Sequence, residues 1–221
     1  MLNIYIIKEL LNIYIMLKIS IEEALIKINT LTNIIHNIQP SKNKGDVGNY
    51  LEQKIGIKPS SDCLDCIDGE IKTFSLRKNK TNPILQPKET IAITMCDRDE
   101  LKTKLFDNTR LYKKIQNIIF IPYFRKGMNV IFFPPIHLQI KNDMELLTKI
   151  KIDYNDIRKE LIECNTIHSN IGNLIQCRTK GKGGNAVKTR AYYFKTLFIR
   201  TYLCDKIIYD DNIKQHIKTM S

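Results

Sequence analysis

Asp62-Cys63-Leu64-Asp65-Cys66-Ile67-Asp68-Gly69-Glu70-Ile71-Lys72-Thr73 is the stretch on which the reading of this chain turns. Asp68-Gly69 is a two-residue turn signal between runs able to pair, so the segment predicts a tight β-hairpin. In that register Ile67 faces Glu70, Cys66 faces Ile71 and Asp65 faces Lys72. Side chains alternate along a strand, which puts Asp65, Glu70 and Lys72 on one face. Two carboxylates beside an ammonium make an oxygen-ligand site suited to Mg²⁺, with a cationic neighbour.

Upstream, Lys44-Gly45-Asp46-Val47-Gly48-Asn49-Tyr50-Leu51-Glu52 places Val47, Leu51 and Ile55 at helical intervals, so Glu52 belongs to a helix. An Asp followed by Glu-x-Lys is the signature of the PD-(D/E)xK nucleases, and the Lys-Gly loop and Glu-bearing helix ahead of it resemble the MutH family. That family comprises mismatch-repair nicking endonucleases and related type II restriction enzymes. Three further pieces occur in the family's order. Lys113 to Pro122 looks like its basic-then-apolar central strand, Gly172 to Lys180 with Asn185-Ala186 like its DNA-recognition strand and loop, and Ala191 to Phe198 like its closing aromatic segment.

The resemblance implies an α/β fold, a restriction-endonuclease-like mixed sheet flanked by helices, with two lobes around a DNA cleft. It implies one endonuclease domain over 1–221, with a catalytic lobe over about 1–110 and a recognition lobe over about 111–221. Catalysis falls to Glu52, Asp65, Glu70 and Lys72, with Asp65, Glu70 and Glu52 as Mg²⁺ ligands and Asp62 as the alternative first carboxylate. DNA contacts fall to Lys44, Gly45, Arg178, Lys180, Lys182, Tyr193 and Lys195. The implied activity is site-specific type II restriction, with GATC the first sequence to test and a cognate DNA methyltransferase as genetic partner. Strand nicking in mismatch repair, or sequence-specific DNA binding without catalysis, are the alternatives. A monomer, or a dimer formed transiently on DNA, is expected in the cytoplasm at the nucleoid.

Composition agrees with a polyanionic partner. The 221 residues carry 35 Lys and Arg against 23 Asp and Glu, a formal net charge of +12, and basic side chains bind phosphates irrespective of sequence. Arg77 to Lys88 is a basic, proline-containing excursion suited to a phosphate backbone. Six cysteines are scattered without the spacing of a disulfide framework, and Cys63-x-x-Cys66 has no second pair to complete a zinc site. The histidines show no ligand or triad spacing, and no nucleotide-binding glycine loop occurs.

Residues 1–38 are apolar with helical spacing but interrupted by charges, which argues against a membrane span or signal peptide. Residues 1–15 read as dispensable, because their pattern Leu2-Asn3-Ile4-Tyr5-Ile6 returns as Leu11-Asn12-Ile13-Tyr14-Ile15. Ser20 is placed to cap a helix running to about Ile38, with Glu23 completing a capping box. Strands are expected over Thr90–Met95, Ile118–Tyr123, Val130–Phe133, Ile171–Arg178 and Ala191–Lys195. Helices are expected near Asp99–Leu105, Met144–Cys164 and Leu197–Ile208, with a frayed tail after Tyr209.

Overall fold

The computed structural model describes residues 18–41, 45–79, 85–180 and 189–220. The predicted capping box forms: Ser20 accepts from the Glu23 amide, the Glu23 carboxylate accepts from the Ser20 amide, and helix α1 (Ile21–Asn29) begins there. This helix stops nine residues short of the expected end at Ile38. Thr30 and Thr32 turn their hydroxyls onto the carbonyls of Lys27 and Asn29, and Asn33 takes a left-handed φ of 63°. Short polar side chains of this kind compete with the helical ladder. The chain emerges as strand β1 (Ile35–Asn37). The predicted Glu52 helix is α2 (Asp46–Ile55), buried through Val47, Leu51 and Ile55 and closed by left-handed Gly56.

Strand β2 (Glu70–Arg77) begins at the candidate Glu-x-Lys, but the expected hairpin does not form. Only the Cys66 amide reaches across to the Gly69 carbonyl, at 2.9 Å, and no strand precedes β2 in the segment. Its partners come from elsewhere: β3 (Gln86–Pro87) lies antiparallel on one side and β5 (Ile118–Lys126) parallel on the other. Local turn chemistry is outweighed by burial: β5 runs beside β2 from Glu70 to Leu76 and both faces of β2 are packed, while β3 meets it only at Leu76 and Arg77.

Strands β6 (Asn129–Phe132) and β7 (Ile136–Leu138) pair with successive halves of β5, completing a sheet of order β1-β6-β5-β2-β3 with β7 beside β5. A second sheet of three strands runs β4 (Ile91–Cys96), β9 (Arg190–Phe194), β8 (Ile175–Thr179), all antiparallel. Helices α3 (Arg98–Thr103), α4 (Arg110–Ile115), α5 (Met144–Cys164) and α6 (Thr196–Tyr202) connect and flank them. The tail is not frayed: α7 (Asp211–Thr219) is capped by Asp210 and buries Ile213. The result is a mixed α/β fold consistent with the restriction-endonuclease type.

The four buried residues Ile118-Ile119-Phe120-Ile121 show how β5 organises the layers. Ile119 and Ile121 join α1 and α2 in one core, while Ile118 and Phe120 join α5, α6 and the small sheet in the other. Alternation along a strand covered on both faces requires this split. In the second core Phe120 meets Phe194 and Phe198, with ring centroids 5.6 and 6.0 Å apart. The three-stranded sheet is thereby packed onto the strand that pairs with β2.

Candidate active site

Glu70 is the centre of the site and is 1% exposed. Its amide donates to the Asn117 carbonyl at 2.9 Å, holding the start of β2 against the start of β5. The preceding Gly69 permits that approach: a Cβ there would lie 2.5 Å from the Asn117 carbonyl oxygen and 2.5 Å from Ile21 Cγ1. Asp68, in the turn, accepts from the Ile21 amide at 2.8 Å and so ties the turn to the first residue of α1. Its backbone carbonyl accepts from Asn117, which also bonds His137.

Glu70 Oε1 receives the ammonium groups of Lys72 and of Lys114, the latter at 2.5 Å. Glu70 Oε2 is buried and has no hydrogen-bond partner. Asp65 reaches the same cluster by a route unlike the expected hairpin: its Oδ2 accepts from the Ile71 amide at 3.1 Å and lies 3.8 Å from Lys72 Nζ. Asp62, the alternative, pairs instead with Lys18 at 3.0 Å. Glu52 projects from α2 into the field of the group. Burial pushes its carboxyl above the ordinary value, reinforced by the charges of Asp65 and Glu70 and opposed by Lys72 and Lys114. Burial alone would depress the Lys72 ammonium, but Glu70 and Asp65, with Glu52 behind them, hold it above the usual lysine value.

Lys114 is the member that reading the sequence missed. The basic-then-apolar pattern places it in a strand running from Lys113 to Pro122; in the structure helix α4 ends at Ile115 and the strand starts only at Ile118. Leu111, Lys114 and Ile115 are all buried, so this lysine sits on the apolar stripe of a short helix. A cation at the i+3 position of such a stripe, beside a second lysine that stays outside, was the available signal.

A magnesium ion is implied by the resemblance, and the donor set suits it: three carboxylates offer hard oxygen ligands, and Glu70 Oε2 is a buried acceptor without a donor. As the side chains lie, no three His, Cys, Asp or Glu groups among the described residues are close enough to share an ion. The Lys72 ammonium bridges Asp65 and Glu70. Cys63 and Cys66 are free thiols, and burial first, then Asp65 and Asp68, pushes Cys66 up to about 12.

The predicted DNA-contact residues fall in two regions. Gly45 precedes α2 without a side-chain cap, whereas Lys44 and Lys182 lie outside the described residues. Arg178 and Tyr193 sit on β8 and β9, the guanidinium 4.2 Å from the ring centroid. The Lys180 amide bonds the Thr189 carbonyl at 2.9 Å, closing the neck of the hairpin. Lys195 Nζ donates to the Gly172 carbonyl at 2.7 Å, which steadies the turn before β8.

A buried Glu-x-Lys at the head of β2, flanked by further carboxylates on a mixed sheet, agrees with the pattern expected of a nuclease of the MutH and restriction-endonuclease kind. The family model described as DNA mismatch repair enzyme MutH matches residues 51–159 and supports assigning the chain to the MutH-like endonucleases. The matched span contains Glu52, Asp65, Glu70, Lys72 and Lys114, and ends before Arg178 and Tyr193. No curated protein matches the chain. No helix among the described residues is long and apolar enough to cross a membrane.

Proposed function

We propose that this chain is a Mg²⁺-dependent type II restriction endonuclease that cleaves double-stranded DNA at a specific site, with GATC the first candidate. The observation that supports it best is Glu70, a buried carboxylate with one oxygen clamped by two lysines and the other unpartnered, beside Asp65 and Glu52. A protein that only binds DNA gains nothing from carboxylates near phosphate, since they repel it. Glu70, Asp65 and Glu52 would hold magnesium, which when bound would neutralise phosphate charge and act as a Lewis acid. Lys72, held as an ammonium, orients the attacking water or stabilises negative charge developing on the phosphate. Lys114 positions Glu70 from behind. Arg178, stacked on Tyr193, presents a planar fork of the kind that bonds guanine O6 and N7, while Tyr193 is the candidate sensor of adenine methylation.

Digestion of GATC-containing plasmid, methylated and unmethylated, with Mg²⁺ or EDTA, tests this. Linear product from one methylation state, abolished by EDTA and by Lys72→Ala, is expected. Wild-type cleavage by Lys72→Ala removes the assigned site. A family described by DNA mismatch repair favours a second reading, strand nicking in mismatch repair, and open-circular product without linear product selects it.

A further inference from the structure

Two grooves meet at the β3 edge of the main sheet, at the end of β2 opposite Glu70. The larger, of about 750 Å³, includes Arg77, Lys78, Lys88 and Arg125 in its lining, with Asp46 and Glu89. The second, of about 480 Å³, is lined on one side by Arg77 and Lys88 again and on the other by Arg200 and Asp205 of the α6 region. Together they hold five cationic side chains against three acidic ones. One of those acids, Asp46, is held by Arg125 at 2.7 Å. Arg77 and Lys88 are exposed and shared by both grooves. They are brought together because Arg77 pairs with Gln86 in the β2–β3 register and the Lys88 amide bonds the Ser75 carbonyl at 2.8 Å.

Nothing in the catalytic cluster uses these groups. Helix α2 lies antiparallel over β2, with Glu52 at the catalytic end, Gly48 beside Thr73 and Asp46 at the groove. The catalytic cluster and the grooves are thus the two ends of one α2–β2 unit. The seven strand steps from Glu70 to Arg77 span about 23 Å at about 3.3 Å per residue. At about 3.4 Å per base step that is roughly seven base pairs. We propose that the paired grooves are a second DNA-contact site, taking the phosphodiester backbone of the duplex arm roughly seven base pairs from the scissile phosphate. This rests on the nuclease reading. The site positions the duplex and reads no bases.

The experiment measures binding of full-length protein to labelled duplexes over a range of salt, in EDTA, with arms of about 2 base pairs closed by a hairpin loop or of about 15 base pairs around a central GATC. Arg77→Ala/Lys88→Ala is expected to flatten the salt slope on the long duplex by about 1.8 and to weaken it about tenfold, leaving the short duplex bound as by wild type. Arg200→Ala, across the groove, is expected to flatten the slope by about 0.9 and serves if the double variant does not fold. An unchanged slope on the long duplex overturns the proposal, as does equal weakening on both lengths. Self-association of the double variant with unchanged DNA affinity also overturns it, and marks the two cations as protectors of an open sheet edge. If wild type binds neither duplex, the nuclease reading itself falls; if wild type binds both and the variants match it, only the groove falls.

Discussion

At the scale of single residues, the candidate site gathers charges in positions that oppose stable folding. Three carboxylates and two ammonium groups share a largely buried space, and ions taken out of water recover their hydration only through good pairing. Glu52 shows the tension most plainly, because burial and its acidic neighbours raise its pKa. The folded protein therefore keeps a proton on Glu52 at pH values where the unfolded chain has released it. Stability from this group falls as pH rises through the carboxylate range, starting from the ordinary value of 4.5. Glu52→Gln in EDTA is expected to raise the melting temperature near neutral pH, with the gain fading towards about pH 4. Melting curves for the two proteins that run parallel across that range would show Glu52 to be uncoupled from the cluster. The same variant is expected to lose Mg²⁺-dependent cleavage.

At the scale of elements, the β8–β9 hairpin hangs from one buried carboxylate. Asp153, on α5, accepts from the amides of Asn173, Leu174 and Ile175 at 2.7, 2.6 and 2.9 Å. Gly172, with φ 82°, makes the turn that delivers them, and a Cβ there would meet the Ile175 carbonyl at 2.2 Å. Lys195 closes the same turn from the far end of β9. Asp153→Ala leaves three amides without their acceptor and is expected to cost about 3 kcal/mol or more in urea unfolding. Hydrogen exchange at Leu174 and Ile175 should accelerate more than at Ile119 of β5. Equal acceleration at both would mean that Asp153 supports the whole fold rather than this hairpin.

At the scale of the molecule, the proposed cutting and reading of one duplex would require the two sheets to be held in one relation. The aromatic contacts around β9 and α6 do this: Phe194 stacks on Phe198 at 4.0 Å, and both rings meet Phe120. Phe120 is itself the register partner of Lys72. Phe194→Ala opens a cavity between the sheets and is expected to cost about 3–5 kcal/mol. Among molecules that stay folded, the ratio of specific to non-specific DNA binding should fall. A variant with full specificity would show that the sheets are aligned by other contacts, such as Tyr154 against Tyr192.

The local elements, and the chemistry that two-residue periodicity can carry, were legible in the amino-acid order. The capping box at Ser20, helix Met144–Cys164, the helix bearing Glu52 and the strands around Ile118 and Tyr193 come from spacing and propensity, which act over a few residues. Glu70 and Lys72 share a face because strand alternation is strict once the strand exists. Strand pairing was settled by long-range packing. The Asp68-Gly69 signal favoured a hairpin, yet β2 pairs with strands that lie downstream, because burying both its faces outweighs one favourable turn. The same long-range packing brought Lys114 in from α4 and cut α1 short to place β1 beside β6. It also docked α7, whose single buried Ile213 is too slight a signal to read from the tail alone. Which of two adjacent lysines turns inward depends on the partner waiting inside, and that partner, Glu70, lies 44 residues away in the chain.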